Sequence, residues 1–271
     1  MEYIEIQNTK LPKLGLGTWH MGVDSSKRDQ EVGAVKYAIE KGLTHIDTAE
    51  MYSDGESERI VGEAIKGFKR DDLFITTKVH PSHIAVDDLV TAYDGSMKRL
   101  GIKDADLYLV HWPNPSIPLE STMRGMNYLW EHASRDLHIG VSNFSVEQMK
   151  EAQSHVSFKL FTNQVEYSLA DLSPEDNGVL EYCQKNDMLL TAYSPLGQGA
   201  LAMPGKHKEL DEICDKYKKT PVQVALNYLI SQPNIIAIPK SSSKEHIDEI
   251  LGSADWELET EDIETLRKSF V

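Results

Sequence analysis

Short apolar runs alternate with amphipathic, charge-rich stretches along the whole chain, and this order constrains the fold more than any other feature. A strand followed by a helix pairs in parallel with the next strand, because the helix carries the chain back along the sheet. The apolar runs are 14–17, 44–48, 73–79, 107–112, 138–142, 162–167, 188–193 and 235–239. Helical patterns separate them at 29–41, 56–66, 86–100, 119–132, 146–154, 175–186, 221–231 and 244–251. Two helix starts carry capping boxes, Ser145 with Gln148 and Thr220 with Gln223, and Pro221 occupies a first helical position; Ser173-Pro174 marks a third start. Eight strand-helix units in 271 residues match the count and size of a (β/α)8 TIM barrel, provided the further helical segments at 206–217 and 260–269 are two additional helices. A doubly wound sheet would carry a GxGxxG turn after its first strand. Gly15-Leu16-Gly17-Thr18-Trp19 lacks the third glycine and no helix follows at once. No proline-rich, serine-rich or low-complexity linker divides the chain, so a single domain over 1–271 is expected.

The net charge of −15, with no basic block, excludes long-range attraction to nucleic acid or to an anionic membrane, so an anionic ligand needs a local basic pocket. The start, MEYIEIQNTK, is acidic where a secretion signal is basic, and no apolar run is long enough to span a membrane. Cys183 and Cys214 have neither CxxC nor Cys/His ligand spacing, which predicts two idle thiols in a reducing compartment and no metal site. A cytoplasmic protein acting on a small molecule, as a monomer or weak homo-oligomer, is expected.

In a (β/α)8 barrel the reactive side chains lie where strands end. The second run ends in His45-Ile46-Asp47-Thr48, with Tyr52 in the loop beyond; the third ends on Lys78 and the fourth on His111. Alone, such an Asp usually caps a turn, a Tyr packs, a Lys is solvated and a His is structural. Three consecutive strands placing all four on one rim make these separate readings a poor account.

The segment running from Gly42 through Asp47 and Tyr52 to Ala64 resembles the first signature of the aldo-keto reductase family. Ile75–Val79, Leu109-Val110-His111-Trp112-Pro113, Ile139–Phe144 and Ile236–Ser241 resemble the others, in order. The likeness is to diketogulonate-reductase-like members with a short carboxyl-terminal loop. It implies a (β/α)8 barrel whose bottom is capped by an amino-terminal β-hairpin, supplied by residues 3–11, and a catalytic set of Asp47, Tyr52, Lys78 and His111.

The implied reaction is NAD(P)H-dependent reduction of an aldehyde or ketone. Hydride addition leaves negative charge on the carbonyl oxygen, so a held proton donor is needed. A tyrosine has a pKa of about 10, and a neighbouring ammonium lowers it; Lys78 is assigned that role, Asp47 keeps Lys78 charged and oriented, and His111 binds the carbonyl oxygen. By resemblance, Ser142, Asn143 and Gln164 hold the carboxamide and Tyr193 stacks on the nicotinamide. Gly17, Thr18, Trp19 and Asp47 line its channel, as do Ile238 and Pro239. Ser194, Pro195, Leu196 and Gln198 face the pyrophosphate, and Lys240, Ser241, Ser242, His246 and Glu249 the adenosine end.

His246 stands where NADPH-preferring members carry an arginine, and histidine lacks arginine's bidentate fork. NADPH is therefore expected as the preferred cofactor, with measurable use of NADH. Substrate-binding positions are Trp19, Tyr52, His80, His111 and Trp112. The short 114–118 loop and the roughly twenty residues after Leu251 predict an open site for broad or bulky substrates. The rival readings are a non-catalytic, cofactor-binding regulatory protein on the same barrel, and a lyase or isomerase using Lys78 as a Schiff-base nucleophile.

Overall fold

The amino-terminal strands β1 (Tyr3–Ile6) and β2 (Thr9–Pro12) pair antiparallel in a hairpin. Gln7 and Asn8 turn it, both with positive φ (46° and 62°). Eight parallel strands follow in the computed structural model, which describes residues 1–270: β3 (Leu16–Gly17), β4 (His45–Asp47), β5 (Phe74–Val79), β6 (Leu107–Val110), β7 (His138–Ser142), β8 (Thr162–Glu166), β9 (Leu189–Tyr193) and β10 (Ile235–Ala237). The sheet closes on itself, since Leu14 bridges Ala237 and Gly17 bridges Lys240, both in parallel. Gly17 N donates to the Pro239 carbonyl at 3.0 Å on this seam. Only glycine fits there, because a Cβ would lie 2.7 Å from the Ile238 carbonyl oxygen.

The helices are α1 (Arg28–Glu40), α2 (Glu56–Ala64), α3 (Val86–Leu100), α4 (Leu119–His132), α5 (Val146–Ser154), α6 (Ser173–Asp176), α7 (Val179–Lys185), α8 (Lys208–Tyr217), α9 (Pro221–Ile230), α10 (Lys244–Leu251) and α11 (Thr260–Ser269). Both predicted capping boxes form. The expected helix over 175–186 is broken instead into α6 and α7. Gly178 takes a left-handed φ of 80°, and Val179 N donates to the Asn177 side chain, so the second segment starts afresh. α8 and α11 are the two additions. Cys183 and Cys214 are buried and unpaired. Among the described residues no helix is long and apolar enough to cross a membrane.

Strand alternation sorts the barrel interior into layers. Toward the strand starts, Phe74, Leu107, Phe161, Leu189 and Ile236 form an apolar plug with Ile6 and Leu11 of the hairpin. Above it lie threonines, with Thr162 and Thr191 hydroxyls 2.8 Å apart and Thr76 bonded to His45 Nε2 at 3.0 Å. Two residues further along β4, β5 and β8 come Asp47, Lys78 and Gln164. The interior thus changes from apolar to ionic toward the strand ends, while a separate and larger apolar layer packs the strands' outer faces against the helices.

Candidate active site

Lys78, the fifth residue of β5, is wholly buried, and its ammonium spends each of its protons on a different oxygen. Nζ donates to Asp47 Oδ1 at 2.5 Å, to the Thr48 carbonyl at 2.9 Å and to Tyr52 Oη at 3.2 Å. Asp47 Oδ2 accepts from Gln164 Nε2 at 2.8 Å, which anchors the carboxylate from across the barrel. An ammonium has no lone pair, so in its contact with Lys78 the Tyr52 oxygen is the acceptor. The phenolic proton remains available to the cavity that Tyr52 lines. His111, in the residue after β6, meets the Tyr52 ring edge-on, with centroids 5.6 Å apart.

Burial raises the Tyr52 pKa above its ordinary value; Lys78 opposes this, and Asp47 adds to it. The ammonium therefore acts in the expected direction, but desolvation outweighs it, and the phenol stays protonated through neutral pH. Burial also works against the Lys78 charge, yet Asp47 and Tyr52 together overcome it and the lysine pKa is raised. His111 is pushed down to about 2 by burial and then by the positive charge of Lys78, so its imidazole is neutral. Its Nδ1 is buried without a hydrogen-bond partner.

Below this layer His45 is fully buried and burial lowers its pKa to about 4. A histidine that stays neutral when folded but protonates near 6.5 when unfolded adds stability above pH 6.5 and loses it as the pH falls toward 4. We expect this group to remove about 2 kcal/mol between pH 7 and pH 5. His45→Gln, which cannot titrate, should flatten the urea-midpoint profile by that amount. Equal pH slopes for the two proteins would contradict the assignment.

A cavity of about 980 Å³ opens over these groups at the strand ends. Of the residues expected at the cofactor, Gly17, Thr18, Trp19, Asp47, Asn143, Gln164 and Tyr193 line it. So do Ser194, Pro195, Leu196, Gln198, Ile238, Pro239 and Lys240. Asn143 has a positive φ of 63°, which aims its amide inward, where Oδ1 accepts from Tyr193 Oη at 2.9 Å. Ser194, Gly197, Gln198 and Gly199 are also left-handed, a concentration of unusual backbone on the cavity wall.

Several expected residues lie elsewhere. Ser142 sits behind the wall, its hydroxyl donating to the Gln164 carbonyl at 2.8 Å and accepting from Asn143 Nδ2. Ser241 bonds within its own turn to Ser243, while Ser242 accepts from Lys240 Nζ at 3.3 Å. His246 and Glu249 are carried on α10, outside the lining. Trp19 and Trp112 do flank the mouth and are about half exposed (49% and 45%). His80 is not in the lining, because its ring bonds Ser82 Oγ at 2.7 Å and its backbone N–H is held by Glu50.

Sequence reasoning missed His20, Val23, Met51, Ser53, Glu166 and Gly199 on the cavity wall. Glu166 was recoverable: it lies two residues beyond Gln164 on β8 and so shares its face. His20, Met51 and Ser53 lie in loops whose paths strand periodicity does not fix.

The model of the Aldo/keto reductase family matches this chain over residues 13–270. Methylglyoxal reductase YeaE of Escherichia coli is 36% identical over 266 residues, covering 97% of this chain and 92% of that protein. A thermostable aldo-keto reductase, Tm1743, solved with the inhibitor epalrestat, superposes with a TM-score of 0.94 at 41% identity, covering 99% of this chain and 100% of that one. An aldo-keto reductase from Klebsiella pneumoniae solved with NADPH gives 0.90 at 34%, covering 100% and 96%. A match this long, on a closed eight-stranded barrel with an ionic cluster at its strand ends, leaves one conclusion: the chain belongs to the aldo/keto reductase family.

Proposed function

We propose that this protein reduces aldehydes or ketones to alcohols with NADPH, and that Tyr52 protonates the carbonyl oxygen. The observation that carries the reading is the Lys78 ammonium donating to Tyr52 Oη at 3.2 Å, which leaves the phenol's own proton facing the cavity.

Size and lining both suit the cofactor. The cavity stands at the upper end of the roughly 300–1,000 Å³ usual for ligand pockets, room for a dinucleotide end and a small carbonyl together. The nicotinamide, when bound, supplies the hydride. Asn143 and Gln164 present amides to its carboxamide, and Tyr193 offers a ring face at the strand end. The left-handed positions at Ser194 and Gly197–Gly199 shape the backbone of the wall where a pyrophosphate would lie, and Lys240 contributes the cation. Trp19 and Trp112 wall the substrate approach with apolar surface.

Tyr52 then gives its proton to the carbonyl oxygen as charge develops there. Lys78 stabilises the resulting phenolate, and Asp47 holds Lys78 in place. Neutral His111 is free to direct a ring N–H at the substrate oxygen. Consuming NADPH in the presence of small aldehydes, aromatic aldehydes, dicarbonyls or keto-sugars tests the whole reading. Tight cofactor binding without turnover across that panel would instead favour a regulatory protein on the same barrel.

NADPH is expected to be the better cofactor, because Lys240 lines the cavity and supplies a charge for a phosphate. No arginine lies among Lys240, Ser241, His246 and Glu249, so NADH should still work measurably. Steady-state kcat/KM for the two cofactors decides it, and an NADH value equal to or above that for NADPH would reverse the assignment.

A further inference from the structure

Outside the barrel, against the back of β5, lies a second charged cluster that the proposed chemistry does not use. Glu58, on α2, is completely buried. Its Oε1 accepts from Thr77 Oγ1 at 2.5 Å, and its Oε2 accepts from Arg99 Nε of α3 at 2.5 Å. Thr77 immediately precedes Lys78 on β5 and points to the opposite face of the sheet. Thr77 also pairs with Tyr108 of β6, whose buried hydroxyl has no partner and whose ring packs edge-on against Tyr93 at 4.8 Å. A buried ion pair gives little net stability over apolar side chains of the same shape, so its presence calls for a positional account.

Arg99 supplies that account. Gly55 closes the turn that begins at Tyr52, and a Cβ on Gly55 would lie 2.5 Å from Arg99 Cδ, so the arginine stem rests directly on that glycine. Ser53, Asp54 and Gly55 all have positive φ (50°, 52° and 82°). Two consecutive non-glycine residues in that region persist only where their surroundings hold them. Ser53 Oγ also donates to the Met21 carbonyl at 2.9 Å, a second tie on the same turn. One carboxylate thus connects the turn that presents the phenol to the strand that presents the ammonium.

We propose that Glu58 and Arg99 are positioning residues, which hold the left-handed turn at 53–55 and the end of β5 together so that Tyr52 Oη meets Lys78 Nζ. The inference rests on the proposed role of Tyr52, and the controls separate the two. Displacing the phenol by a fraction of an ångström from its partner lowers turnover without weakening cofactor or substrate binding.

Arg99→Met should reduce kcat about tenfold to a hundredfold while KM for NADPH and carbonyl changes by less than about twofold. Because Lys78 pulls the phenol pKa down, loosening the contact should also move the alkaline limb of the kcat–pH profile to higher pH. The double variant Glu58→Gln with Arg99→Met removes the stranded buried charge. It should regain the melting temperature lost in Arg99→Met but keep both the lowered kcat and the displaced limb. Thr77→Val, which unpairs no charge, should change kcat in the same direction. Wild-type kcat and pH limb in a folded Arg99→Met or Thr77→Val, or recovery of kcat together with melting temperature in the double variant, would overturn the proposal. Near-wild-type turnover by Tyr52→Phe would instead remove Tyr52 from the chemistry, and with it the object being positioned.

Discussion

Tyr52→Phe is expected to lose at least about a hundredfold in turnover, the low end of what a general acid contributes, while NADPH binding is kept. The substitution removes one oxygen and leaves the ring, so the edge-on packing against His111 survives. What it deletes is the group in the cluster best able to give up an uncommitted proton. Lys78 has committed its three protons to Asp47, Thr48 and Tyr52. His111 is neutral, its pKa pushed down to about 2, so it could give up the one proton left on its ring only by becoming an imidazolate anion. Asp47 is occupied by Lys78 and Gln164. Cofactor affinity, read from fluorescence titration, should be unchanged because Asn143, Gln164 and Lys240 are untouched. The loss should therefore appear in kcat, and turnover within a few-fold of wild type would exclude Tyr52 as the proton donor.

Lys78→Met is expected to damage both activity and stability, the second effect separating it from Tyr52→Phe. Methionine fills most of the space of the lysine stem but leaves the buried Asp47 carboxylate without its cation, and stranding one member of a buried pair costs about 3–5 kcal/mol. Gln164 Nε2 still donates to that carboxylate, which places the loss toward the lower end. Turnover should fall at least as far as in Tyr52→Phe. Without the ammonium, burial and the Asp47 charge both raise the phenol pKa, and its proton becomes harder to release. Adding Asp47→Asn to Lys78→Met should restore much of the urea midpoint and none of the turnover. A single variant as stable as wild type would contradict the cost assigned to stranding the Asp47 carboxylate.

The barrel was legible because its signals are local and repeated. Each apolar run and each amphipathic stretch declares itself within a dozen residues, and both capping boxes formed where Ser145 and Thr220 announced them. The one helix misread, 175–186, failed at Asn177-Gly178, where a left-handed glycine and a side-chain bond restart the helix. The placement of Asp47, Lys78 and His111 at strand ends was also legible, since strand period and strand end together fix which side chains face inward at the rim. Tyr52 was legible as a residue of the loop beyond the second strand, on the same rim, but the direction of its ring was not, as a loop has no period.

What the sequence by itself determined was the alternation of strands and helices, the interior face of each strand and the charged residues at the strand ends, all set by local periodicity. Tertiary structure alone decided that burial outweighs Lys78 in setting the Tyr52 phenol, because desolvation depends on every element packed around it. It likewise turned His80 into its own loop and Ser142 behind the cavity wall, and brought Glu58, Thr77 and Arg99 together from three elements. A residue's type and spacing tell which way it faces along a strand, but what it meets there is fixed only when distant segments close around it.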